Sequence, residues 1–435
     1  MCGARQATDV SPPPPDSKNP ECPMPHHVLA VASFRPLPAE VITSSLISRL
    51  TVITEPAHAR HYPTGVDVFT VESIDDFTAV RDTTLAILEQ RRVDAVLCPT
   101  ELGIAVCGLL RSYFGIPGMG FDAANAFSNK FVMKQRIAGA GLPVTPFRLV
   151  PRLAGLPAAA QDLGWPVVVK PCFGGGTMDV AVIRSAADFA RFYGAPESVG
   201  LRDAGCPLIA EKFVSIEAEY HCDGIVDEGT TKFASVSKYL SPVLRGLGGV
   251  GGSSHLAATA PDAAAIHRIH RDVVQALGMR SGVTHLEVFK TASGFLVGEI
   301  ACRPGGGGIV KSVALQYGVD LWHAFVETSL GLPPTIDIDA RDDTVINVML
   351  PARPGRILQL SAAEDFAAAL PGVLDTAMVL KPGDLVDDVS HSMKITGTVF
   401  LAAPSVHDVD DLVRGVCDTY VLHTEPDAAS GLQRR

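Results

Sequence analysis

Residues 284–303 read "THLEVFKTASGFLVGEIACR", and after Pro304 four glycines follow at 305–308. Two apolar, β-prone runs flank the turn residues "TASG", the pattern of a two-stranded hairpin. Glu287 and Glu299 are 12 residues apart, so a hairpin of that size can set their side chains opposite one another, a few ångströms apart. Carboxylates so placed repel unless a cation lies between them. Mg2+ accepts a few carboxylate oxygens together with substrate phosphates. The pair is therefore a candidate metal site, although two exposed acids on a hairpin fit the spacing as well. Arg303 stands four residues beyond Glu299. Its guanidinium offers a fixed fork of donors to phosphate or carboxylate oxygens, or else makes a surface ion pair. The glycine run that follows has no lysine beside it, unlike the usual phosphate loop.

Working outward, "PVVVK" (166–170) runs into "PCFGGG" (171–176). A lysine beside a loop rich in backbone N–H groups suits a polyphosphate. A strand follows instead of a helix, so Gly174, Gly175 and Gly176 would fold over phosphates as a lid. Alone, the segment reads equally as a hairpin with an incidental Lys170. "PLIAEKFV" (207–214) is a strand entering a connector, where Glu211 and Lys212 mark backbone groups that could meet an adenine edge or form an ordinary surface pair. "SNKFVMKQRIAGAGLPVTP" (128–146) predicts a helix that starts near Asn129 and stops at Gly141 and Pro143. His221, His255 and His285 are isolated in sequence and read as structural histidines.

The remaining chain sets the architecture. Short β-branched runs at 28–33, 51–56, 66–71 and 94–101 alternate with helical stretches at 39–50, 74–93 and 102–115, which implies right-handed β-α-β units on a parallel sheet. No G-x-G-x-x-G follows the first strand, so no dinucleotide site is expected. "RGLGGVGGSSH" (245–255) reads as a mobile loop. Beyond about 340, strands near 344–350, 376–380 and 394–402 and helices near 361–369 and 407–417 predict a small α+β cap. The formal charge of −11 argues against a nucleic-acid surface. No run is long and apolar enough to span a membrane. The first 26 residues, with "SPPPP", read as a disordered tail without a secretory core. "MCG" looks like the start of an N-terminal-cysteine amidotransferase, but that tail cannot supply the strand Cys2 would need. Nine scattered cysteines without a C-x-x-C pair suit reduced thiols and a cytoplasmic protein.

Taken together and in order, these segments resemble the ATP-grasp superfamily over roughly residues 27–330. "NKFVMKQRIAGAGLP" resembles its first lysine helix, with Lys130 the nucleotide lysine. "VVVKPCFGGG" resembles its second lysine and glycine lid. "IAEKFV" resembles the hinge at adenine, with Glu211 and Val214 as contacts, and "EAEYHCDG" the strand after it, with Glu219 on the nucleotide or substrate side. The opening hairpin resembles the metal hairpin of the biotin-carboxylase-like members. The fold class implied is α/β and α+β multidomain: an N-terminal parallel-sheet domain (27–127), an ATP-grasp domain (128–335, lid about 145–210), and an α+β cap (336–425) before a flexible tail (426–435).

The resemblance implies ATP and Mg2+ as cofactors, two ions with Mn2+ as a substitute, and carboxylate activation through an acyl phosphate. An amine then attacks the acyl carbon, and Arg303 neutralises oxygens of the acyl phosphate and the tetrahedral intermediate. Within the superfamily, "E-x-x-x-R-x-G-G" and the following "GVDLW" look similar to L-amino-acid ligases and carnosine-synthase-like members, which make dipeptides or related amides. The partners implied are a small-molecule carboxylate and an amine, with homodimerisation common among such relatives. Gly305, Gly306, Gly307, Ser253 and Ser254 are candidates for the substrate side. An N-carboxylating or purine-pathway ligase is the second reading. A catalytically silent nucleotide-binding protein is the third, motivated by Ala301, which stands where the family commonly has a metal-holding asparagine.

Overall fold

The computed structural model describes residues 26–33, 36–243, 249–387 and 394–426. Cys2, the terminal tails beyond residues 26 and 426, and residues 244–248 of the glycine-dense segment lie outside the described residues. The N-terminal sheet is parallel, in the order Asp67–Thr70, Ile47–Thr54, His26–Val31, Ala95–Leu97. Its apolar runs are buried on both faces, as parallel strands under helices must be. The helix expected over 39–50 spans only Ala39–Ile42, and a strand takes over from Ile47. The β-branched run Thr51–Thr54 pairs with both neighbouring strands, and pairing outweighs helical periodicity there. Asp76 starts the helix Phe77–Gln90 by accepting the N–H groups of Thr78 and Ala79. From the central strand His26–Val31 the chain builds outward on one side, then returns to the other with Ala95–Leu97. The crevice beyond the carboxyl ends of those two strands is thus a topological switch point.

Among the described residues, the largest sheet has eight antiparallel strands. Its order is Gly294–Ala301, Gly282–Thr291, Ala218–Asp227, Thr230–Tyr239, Gly251–His255, Thr344–Pro351, Ile395–Ala403, Val373–Met378. Two features depart from the sequence reading. Residues 251–255 form an interior strand, not a mobile loop. That strand pairs with Thr344–Pro351, so three strands expected in a separate cap lengthen the central sheet. Their helices Ala363–Ala369 and Val409–Thr419 pack on it through Phe366 and Val416. Only Leu385–Val386, Gly355–Leu360 and Leu422–Glu425 form a small sheet apart. A fourth sheet, in the order Phe147–Val150, Leu208–Lys212, Val167–Pro171, Ala181–Ile183, carries the glycine loop. No helix among the described residues is long and apolar enough to cross a membrane.

Strand alternation gives the central sheet two unlike faces. Tyr220, Cys222, Leu286, Val288, Val297 and Ile300 face one side and pack on the helices Lys130–Gly139 and Pro261–Leu277. The opposite face carries Glu287, Glu299, His221, Asp223, His285, Ser253 and Asn347. Two other histidines are buried and neutral. His270 lies 2.7 Å from the Thr284 hydroxyl, and His255 bridges Ser237 and Ser312 at 3.0 Å each. Burial pushes their pKa values down to about 4 and about 3 respectively.

A histidine held neutral in the fold binds a proton more readily once unfolded, so its contribution is present above about pH 6.5 and is lost as the pH falls towards 4. Other buried groups titrate over the same range, so the test is the comparison of wild type with His270→Gln: from pH 7 to pH 5 the urea midpoint of wild type should fall relative to that of the variant. A midpoint difference between the two that does not change with pH over this range would contradict the assignment.

Candidate active site

The polar face of the central sheet opens on a cavity of about 720 Å3. Glu287 and Glu299 pair directly across the hairpin. The register shifts immediately afterwards, because Gly298 is an extra residue that leaves Val288 opposite Val297. Such a bulge re-aims neighbouring side chains. A Cβ at Gly298 would lie 2.9 Å from the Phe289 ring, so the glycine lets the bulge close against it.

Two other elements bring cations to Glu299. Asn129 caps the helix Lys130–Gly139 by accepting from the N–H groups of Phe131 and Val132. This fixes the first turn, and Lys130 Nζ lies 3.7 Å from Glu299 Oε2 while donating to the Gly174 carbonyl. Lys170, on Val167–Pro171, lies 3.4 Å from Glu299 Oε2 and 3.1 Å from Glu211 Oε1. Lys134 lies 3.1 Å from Glu211 Oε2, and Thr145 donates to the same oxygen at 2.6 Å. Burial alone would raise the pKa of both carboxylates. For Glu299, Lys130 and Lys170 reverse this and hold it at about 2. For Glu211, Lys134 and Lys170 do the same, also to about 2. Burial would lower the Lys170 pKa, but Glu211 and Glu299 raise it above its ordinary value.

Beside Glu287 runs a buried polar chain. His285 Nε2 lies 3.7 Å from Glu287 Oε1, and its Nδ1 is 2.8 Å from Asp223 Oδ1. Asp223 also meets His221 Nδ1 at 2.5 Å. His221 Nε2 is 2.8 Å from Ser253 Oγ. Asn347 accepts from the Ser253 N–H and hydroxyl and donates to the Gly307 carbonyl. The two close nitrogen–oxygen contacts at Asp223 are hydrogen bonds, which orient both imidazoles. Ala301 faces His285 across the hairpin. Gly305 packs against this cluster, where a Cβ would be 2.9 Å from Asp223 Oδ1 and 3.0 Å from His285 Nδ1.

Lys130, Lys170, Gly174, Gly175, Gly176, Val214, Glu219, Ser253, Glu287, Glu299, Arg303, Gly305, Gly306 and Gly307 all border the cavity. Three candidates do not. Ser254 alternates away from Ser253 on the same strand. Lys212 is exposed to solvent. The Glu211 carboxylate is turned from the cavity and committed to Lys134 and Lys170. Glu219 accepts the Val243 N–H at 2.8 Å, and burial with Glu287 nearby pushes its pKa to about 8. Sequence reasoning missed Lys134, Asp223, Asn347 and Glu101. Lys134 had a signal, since it lies one helical turn from Lys130 on the same face. So did Asp223, two residues from His221 on one strand face.

The donor set suits a divalent cation bound with a polyphosphate. Two acidic side chains stand on adjacent strands, with two lysines and a glycine loop opposite.

An ATP-grasp domain matches residues 135–316. The chain is 33% identical over 408 residues to the L-arginine-specific L-amino acid ligase of Bacillus subtilis, covering 92% of this chain and 98% of that protein. The crystal structure of L-amino acid ligase from Bacillus licheniformis superposes with a TM-score of 0.72 at 17% identity, over 92% of this chain and all of that one. Carboxyaminoimidazole ribonucleotide synthase from Aspergillus clavatus, complexed with ATP, has a TM-score of 0.65 at 16% identity, over 91% and 98%. The chain belongs to the ATP-grasp family and is one of its ATP-dependent, C–N-bond-forming carboxylate–amine ligases.

Proposed function

We propose that the enzyme activates the carboxylate of an L-amino acid as an acyl phosphate and transfers it to the amino group of a second amino acid or another amine. The observation that carries this reading is the in-register Glu287–Glu299 pair facing Lys130 and Lys170 across one cavity, with Arg303 at its edge. The L-amino acid ligase of Bacillus subtilis supports an amino acid as one substrate.

In this reading Lys130 and Lys170 bind the ATP phosphates, and Gly174 to Gly176 cover them with backbone N–H groups. Glu287 and Glu299 would hold Mg2+, as two ions, with Mn2+ as a substitute. The metal would neutralise phosphate charge and orient the γ-phosphorus for in-line attack. Without nucleotide, Lys130 and Lys170 rest on Glu299. With nucleotide bound, the two lysines would pair with phosphate oxygens and the carboxylates would be free to hold a cation, so that no charge is left alone. Arg303 binds oxygens of the acyl phosphate and of the tetrahedral intermediate. Gly305 to Gly307 approach a substrate end closely because they carry no side chain. The glycine lid excludes water, which would hydrolyse the acyl phosphate. Homodimerisation belongs to the same proposal.

The test is ADP release across a matrix of amino-acid pairs, with product masses for the active pairs. We expect ADP and an amide in equal amounts for at least one pair. Glu299→Ala should lower ADP formation by about 100-fold or more, a loss typical of removing transition-state charge stabilisation, in a protein that melts earlier, because Lys130 and Lys170 lose their carboxylate, but is still folded at the assay temperature by circular dichroism. Near-normal turnover in that variant would remove the hairpin from the reaction.

Lys134→Met tests the support behind Lys170. Removing one partner from a buried ion cluster should cost about 3 kcal/mol of stability and raise the KM for ATP, because Glu211, without Lys134, draws Lys170 more strongly away from the phosphates. An unchanged urea midpoint would show that Lys170 and Thr145 suffice for Glu211.

A further inference from the structure

The N-terminal sheet has no part in the nucleotide site, yet its carboxyl ends open on the same cavity. Pro36, Pro99, Thr100, Glu101 and Leu102 line that wall. They follow His26–Val31 and Ala95–Leu97, the two strands that flank the switch point, where open α/β sheets bind ligands. Among the described N-terminal residues bordering the cavity, Glu101 is the only titratable one.

Its position is specific. Glu101 Oε1 accepts from Arg303 Nη2 at 2.9 Å. Glu101 Oε2 sits against Gly175 of the lid, where any Cβ would overlap it. Glu101 thus touches both elements that bracket the acyl phosphate in the reading above, on which this inference rests. The other cavity acids are engaged elsewhere: Glu287 and Glu299 in the hairpin pair, and Glu219 by the Val243 N–H.

We propose that Glu101 is a catalytic residue of the amine half-reaction, binding the incoming ammonium group and accepting its proton. At neutral pH an aliphatic amine is an ammonium ion without a lone pair, so it cannot attack until it loses a proton. A carboxylate beside Arg303 first binds that cation and then takes one proton. The freed nitrogen lone pair forms the C–N bond, and the carbonyl electrons move onto an oxygen held by Arg303. Collapse of the intermediate breaks the C–O bond to phosphate, and the second nitrogen proton leaves with the phosphate. Glu101 returns its proton to solvent as the product departs. Once Arg303 turns to the acyl phosphate, its place on Glu101 passes to the ammonium, so the carboxylate keeps a cationic partner throughout.

The experiment compares two nucleophiles on one acyl phosphate: the amino-acid acceptor, which arrives as an ammonium ion, and hydroxylamine, which is neutral at the assay pH. In Glu101→Gln the ratio of amide to hydroxamate should fall by about 100-fold, the scale of general-base catalysis, and the KM for the acceptor should rise. Glu101→Asp, which keeps the carboxylate, should recover part of the ratio. An unchanged ratio in both variants, or equal loss of both products, would overturn the proposal and leave Glu101 as a positioning partner of Arg303. A wild-type enzyme that forms neither product with any donor would overturn the ligase reading itself, a result distinct from the other two.

Discussion

A charge taken out of water must find an opposite charge, and five buried or half-buried side chains here are arranged by that requirement. Lys130 and Lys134 come from one helix, Lys170 and Glu211 from the lid-bearing sheet, and Glu299 from the central hairpin. The helix alone would carry two uncompensated cations and the hairpin an uncompensated carboxylate, while Lys170 and Glu211 already pair within the lid-bearing sheet. Docked together, they satisfy one another and fix the lid sheet against the central sheet at the wall of the cavity. Of the three lysines, Lys130 and Lys170 border the cavity, and Lys134 stands behind them on Glu211. The cluster thus links the assembly of the fold to the composition of the site.

The second organising feature is the division of labour between the faces of the eight-stranded sheet. One face is apolar and buried under four helices. The other is polar where it meets the cavity and apolar further along, where Ile225 and Val283 pack against the helix Leu321–Ser329. The site is therefore a polar window in a face otherwise covered, framed by elements far apart in sequence.

That distance in sequence decides what could be read from it. The hairpin was legible because its strands are consecutive, so the spacing of Glu287 and Glu299 already fixes their meeting. The lysine segments were legible as local patterns. Glu101 was not, because its link to Arg303 spans 202 residues and no local periodicity carries such a pairing. Residues 251–255 were misjudged for a related reason. Their glycines suggest a loop, but the pairing partners that make them a strand lie in Thr230–Tyr239 and Thr344–Pro351. The same pairing makes much of the expected C-terminal cap part of the central sheet. Ala301, anomalous against the family pattern, faces His285, a ring already oriented by Asp223.

Asn347 ties the end of the chain to its chemistry. It stands on a strand near the C-terminus, yet its side chain grips both Ser253 and the Gly307 carbonyl, and Met349 on the same strand would meet any side chain at Gly307. The segment 344–351 is therefore a separate adjustment point for the glycine run, remote from Lys130 and Lys170. Exchanging that segment between relatives would reshape the cavity around Gly307 while leaving Lys130 and Lys170 as they are.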